Sequence, residues 1–94
     1  MKGKLKKIDN PRYSRNGDVQ YIRLRFTLES GDFAMTDLVS SFRNFARWKP
    51  IIASGIGTVV DGLWLINKSK INADSDVRIV KETLFKHEEA QQAL

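Results

Sequence analysis

The chain has no cysteine, one histidine and two prolines among its 94 residues. Without cysteine, disulfides and thiolate metal sites are excluded. The histidine, His87, stands beside Glu88 and Glu89 in a polar C-terminal stretch and reads as a surface side chain. Histidines at metal-binding spacing are therefore missing, and no nucleophile has an evident base. Gly55-Ile56-Gly57 lacks the third glycine of a phosphate-binding fingerprint and precedes a strand pattern, not a helix. Asp61, Asp74 and Asp76 are too isolated to suggest a metal site. These absences point away from an enzyme and from any cofactor or metal. Apolar runs long enough to cross a bilayer are also missing, and the basic start Met1-Lys2-Gly3-Lys4-Leu5-Lys6-Lys7 leads into no signal-peptide core. The expected location is the cytoplasm, or the host cytoplasm if the protein is viral, with no membrane partner.

What the chain does have is positive charge, unevenly placed. The net charge is +5, yet residues 1–25 carry eight Lys/Arg against two Asp, while the remainder has 8 Lys/Arg and 9 Asp/Glu. A basic excess confined to one segment suits a polyanionic partner, although it also suits a solvated surface.

Residues 19–28 alternate strictly: Ile22, Leu24, Phe26 and Leu28 share one face, and Tyr21, Arg23, Arg25 and Thr27 the other. That period of two predicts a half-buried strand. A first strand is expected over 3–9, with a bulge because Leu5 and Ile8 do not alternate. Residues 10–18 read as a loop turning at Asn16-Gly17. Residues 33–39 complete a hairpin across the turn 29–32. Ser40-Ser41 is placed to cap helical turns over 42–54, with Pro50 expected to break a continuous helix into two short turns. Residues 58–70 predict a fourth strand with a bulge at Gly62, 72–76 a turn, 77–80 a fifth strand, and 81–94 a tail or short helix. The order β-β-β-α-β-β over residues 1–80 predicts an all-β class with a small helical insert, namely a five-stranded OB-fold Greek-key barrel. An SH3-like barrel is the alternative.

The exposed face of the second strand is the main functional clue. Tyr21, Arg23 and Arg25 set a stacking ring beside two guanidinium groups, an arrangement that suits bases and phosphates of a single strand. The competing explanation is ion pairing within the sheet, with Asp37 as one partner. Arg12, Tyr13 and Arg15 in the adjoining loop, and Lys68 and Lys70 in a second loop, would give one groove two basic rims. Lys6 adds a cation from the first strand. Phe33 and Trp64 are further candidate stacking rings, whereas Phe26, Phe45 and Trp48 read as core.

Several segments together, Lys4 to Asp9, Pro11 to Asp18, Tyr21-Ile22-Arg23-Leu24-Arg25-Phe26, Phe42-Arg43-Asn44-Phe45, Trp48-Lys49-Pro50-Ile51-Ile52, Gly57 and Val59-Val60-Asp61-Gly62-Leu63, resemble the small OB-fold single-stranded DNA-binding proteins of phages and mobile elements. The resemblance covers residues 1–80. It implies sequence-independent binding of single-stranded DNA in replication or recombination, by a homo-oligomer whose simplest form is a dimer. RNA is the alternative nucleic-acid partner, and a protein-interaction or assembly role the alternative of another class. Replication proteins are further partners of that family, recruited through acidic tails. This chain ends Glu88-Glu89-Ala90-Gln91-Gln92-Ala93-Leu94, with two acids and no acidic-aromatic tip, a departure from the tail that such recruitment uses.

Overall fold

The computed structural model describes residues 1–81. The expected tail or helix over 82–94, and His87 with it, lies outside the described residues. One short helix accompanies a strongly curled sheet of half-barrel form. The elements are β1 (Gly3–Ile8), β2 (Arg12–Tyr13), β3 (Gln20–Leu28), β4 (Phe33–Val39), α1 (Phe45–Ser54), β5 (Val59–Asp61), β6 (Leu65–Asn67), β7 (Lys70–Ile71) and β8 (Arg78–Ile79). Their order across the sheet is β6-β7-β4-β3-β1-β5-β8, with β2 added beside β3. All ladders are antiparallel except the contact of β7 with β4, where Lys70 lies opposite Met35. Among the described residues no ladder joins β6 to β8.

The alternation of β3 decides which side becomes core. Ile22, Leu24, Phe26 and Leu28 are buried, as are Ala34, Thr36 and Leu38 of β4, which pair with the same strand. Helix α1 covers this concave side with Phe45, Trp48 and Ile51, a spacing that places them on one helical face. Trp48 is 0% exposed. Its ring lies 6.2 Å from that of Phe26, and its indole N–H donates to the Ala73 carbonyl at 2.9 Å. A ring this deeply buried, with its one polar atom satisfied, is core and not a base platform.

The bulge in β1 is present. Leu5 faces Phe26 and Lys7 faces Arg25, so two steps on β1 match one on β3 and Lys6 is the extra residue. Leu5 therefore stays buried while Lys6 and Lys7 are both exposed.

Three expectations are corrected. First, residues 10–18 are not wholly loop. Arg12 and Tyr13 pair with Tyr21 and Gln20, and the reversal is closed by bonds between Ser14 and both Gly17 and Val19, with Gly17 at φ 77°. Second, the helix starts at Phe45 and contains Pro50, and neither Ser40 nor Ser41 caps it. Ser40 instead closes the hairpin: its N–H donates to the Gln20 carbonyl, and its hydroxyl accepts the Gln20 N–H at 2.8 Å. The chain leaves the sheet only beyond that point, so 41–44 form turns. Pro50 and Ala46, whose carbonyl loses its helical donor at the proline, are both exposed, and the helix continues to Ser54. Third, 58–70 is not one strand. Gly62 adopts φ +90°, and a Cβ there would collide with the Asp76 carbonyl oxygen. Trp64 is tied to the 72–75 turn, donating to the Ser75 hydroxyl and accepting from Asn72 N–H. Asn67 Oδ1 then accepts the Ser69 N–H at 3.0 Å, a side-chain turn that reverses the chain into the β6–β7 hairpin.

Candidate nucleic-acid interface

The convex faces of β3 and β4 are built by register. Tyr21 lies opposite Val39, Arg23 opposite Asp37, Arg25 opposite Met35 and Thr27 opposite Phe33. Directly paired residues share a face, so Tyr21, Arg23, Arg25, Phe33 and Met35 all look outward. Phe33 is 70% exposed and Tyr21 46%. The two rings mark opposite ends of the face, six residues apart in register, or roughly 20 Å at the rise of a β-strand.

The guanidinium groups between them are engaged. Arg23 Nε and Nη2 donate to the two carboxylate oxygens of Asp37 at 2.7 and 3.2 Å. Arg25 Nε and Nη2 donate to those of Asp9, both at 2.9 Å. Ion pairing within the sheet therefore accounts for part of this row. Both pairs are side-on, and Nη1 takes no part in either. The geometry holds each guanidinium plane fixed and leaves its end edge open to a second acceptor. The Arg25 hydrogen bond keeps the Asp9 carboxyl below its ordinary range, and the two aspartates in turn raise Arg25 and Arg23 above theirs.

Two grooves flank these pairs. One, of about 430 Å³, is formed by Lys6, Lys7, Arg25, Phe33, Met35 and Ser69. Its apolar floor beside three cations suits a base with its phosphate. The bulge makes this possible, because a regular strand would turn one of the two consecutive lysines inward. The second, of about 480 Å³, is formed by Asp9, Arg12, Tyr13, Tyr21, Arg23 and Asp37. The hairpin of β2 onto β3 places Arg12 directly opposite Tyr21. Tyr13 is exposed and accepts a bond from Gln20 Nε2 at 3.1 Å.

The structure thus gathers Lys6, Arg25 and Phe33 in one groove and Arg12, Tyr13, Tyr21 and Arg23 in the next. Lys70 lies opposite Met35 across the parallel contact, and Lys68 lies with Phe33 in a neighbouring depression. Arg15, at the tip of the β2–β3 reversal, and Trp64 line none of these grooves. Trp64 is 64% exposed beside β6, which β7 separates from β4. Lys7, Met35 and Asp9 are the residues that sequence reasoning did not place in the site. Lys7 was legible once a bulge at Lys6 was accepted. Asp9 follows only from the three-dimensional pairing with Arg25. Among the described residues no group of three or more His, Asp or Glu could hold a metal ion, and no helix is long and apolar enough to cross a membrane.

Comparison of the chain with protein-family models, with curated proteins and with solved structures yields no match.

Proposed function

We propose that this protein binds single-stranded nucleic acid, DNA in the first place, along the convex face of β3 and β4, without catalysing a reaction. The observation that carries the reading is the register of that face. It sets exposed rings at both ends and two oriented guanidinium groups between them, with further exposed cations along the rims. Lys6, Lys7, Arg12, Lys68 and Lys70 form no ion pair among the described residues, so they would supply the phosphate contacts, with Arg23 and Arg25 offering their open edges. Tyr21 and Phe33 would stack on bases, which tolerates any sequence because every base has a π-face.

The finer fold reading is an OB-fold barrel. It is supported by the β1–β3–β4 antiparallel order, by the helix preceding β5, by the return of β5 onto β1, and by the parallel contact of β7 with β4. In that fold the face corresponding to β3 and β4 and the loop corresponding to residues 9–19 are ligand-contacting regions. Single-strand maintenance during replication or recombination is the process this chemistry fits.

The test is fluorescence anisotropy of end-labelled oligo-dT titrated with the protein over a range of salt, because Trp48 is buried and Trp64 lies outside the grooves. Five phosphates neutralised by the five rim cations give a log–log slope of about −3.5, at roughly −0.7 per phosphate on a single strand. Salt-independent binding, or none at low salt and micromolar protein, would rule the reading out. Competition with the matched RNA separates DNA from RNA preference, since selection of RNA requires engagement of the 2′-hydroxyl. A protein-assembly role is the second reading, favoured by Trp64 and Ile66, both exposed at β6. Self-association lost on Trp64→Ala, without nucleic-acid binding, would establish it.

A further inference from the structure

The groove holding Tyr21 has a neighbour at the Val39 end of β4. Asp37 also lines a further groove of about 380 Å³ together with Val39, Phe42, Arg43, Asn44 and Asp74, so the two grooves adjoin across this one residue. Phe42 is 60% exposed, and Arg43 beside it is exposed with no ion pair among the described residues.

The segment presenting them is tightly held. Phe42 N–H donates to the Val39 carbonyl at 3.0 Å, and Phe45 N–H donates to the Phe42 carbonyl at 3.1 Å. Asn44 Nδ2 donates to Asp74 Oδ1 at 2.9 Å, and Arg47 Nη1 to the Asp74 carbonyl at 3.0 Å. A phenylalanine on a fixed scaffold, turned from the core while Phe45 one helical turn later enters it, keeps a large apolar surface in water and forgoes the stabilisation that burial gives. A ligand that covers the ring gains that burial on binding. Tyr21 pairs with Val39, and Val39 lines one groove with Phe42 and Arg43, so this second ring and its neighbouring cation adjoin the Tyr21 end of the face.

We infer that the Phe42–Arg43 turn is an additional nucleotide subsite, extending the single-strand path off the sheet onto the approach to α1. This rests on the proposed single-strand binding, and it deepens that reading by assigning a third ring and a longer footprint. The occupant is an unpaired nucleotide, its base on Phe42 and its phosphate on Arg43. Neither the alternation of β3 nor the charge of residues 1–25 would lead to it.

The experiment compares oligo-dT of increasing length on the full chain, on Phe42→Leu and on Arg43→Gln. Leucine keeps apolar bulk and removes the flat π-face. The expected result is that all three proteins bind the shortest oligonucleotides alike. On longer ones Phe42→Leu falls behind by about 5- to 150-fold, the range for loss of one stacked base. Arg43→Gln should reduce the salt slope by about 0.7 on the long oligonucleotides only. Binding by the unaltered chain with the same length dependence and salt slope in both variants overturns the subsite and leaves the sheet interface standing. Absence of binding by the unaltered chain overturns the parent reading and the subsite together.

Discussion

Exposed and buried rings of this protein make opposite predictions. Tyr21 extends into water from the convex face, whereas Trp48 is sealed between α1 and Phe26. Tyr21→Ala should leave the thermal unfolding curve nearly unmoved and weaken oligo-dT binding by about 5- to 150-fold. Trp48→Ala should destabilise the fold by about 3–5 kcal/mol, seen as a lowered denaturation midpoint. The aspartates offer a second comparison. Asp9→Asn and Asp37→Asn each remove a carboxylate that competes with phosphate for a guanidinium, and each raises the net charge by one. Both should bind oligo-dT more tightly at low salt, with the advantage fading as salt rises. The pH dependence of folding has a definite sign for Asp9. Its folded pKa lies below the unfolded value, so its contribution is present at neutral pH and is lost as pH falls through the lowered folded value. Stability curves of Asp9→Asn and the unaltered chain should therefore converge in acid.

At the level of elements, legibility followed one-sided burial. β3 could be read to within a residue because core on one face and water on the other enforce a period of two. The same rule, applied to the apolar stretch 58–70, failed because both of its faces are hydrophobic and the breaks come from single residues. Gly62 turns the backbone to positive φ under the Asp76 carbonyl, and the Asn67 side chain reverses the chain. Gly62→Ala combines backbone strain with a collision against main chain, and should lower stability by about 2 kcal/mol or more in chemical denaturation. Pro50 misled for a related reason. A proline is read as a helix breaker, but its effect depends on whether the deserted carbonyl can reach water, and exposure is a tertiary property. The Arg23–Asp37 pair was foreseeable from hairpin register. The Arg25–Asp9 pair was not, because the bulge shifts the register between the two strands.

On the scale of the whole molecule, charge and curvature have a common origin. The curled sheet turns its apolar side toward α1, and five cations of the segment holding the basic excess line the two grooves of the opposite face. The all-β character and the outward row of Tyr21, Arg23 and Arg25 were open to sequence reasoning. The engagement of both arginines and the route past Phe42 required the arrangement of strands that are distant in sequence.

Lys6 has an unusual standing in this arrangement. With that residue excised, Leu5, Lys7 and Ile8 would run in, out and in against Phe26, Arg25 and Leu24, an unbroken pleat that the core would accept without complaint. Nothing in the hydrophobic interior asks for the extra amino acid. A chain shortened by this one lysine should still unfold cooperatively, while its grip on oligo-dT loosens and the salt slope drops by about 0.7. Loss of folding in the shortened chain would show instead that the kink itself shapes the sheet.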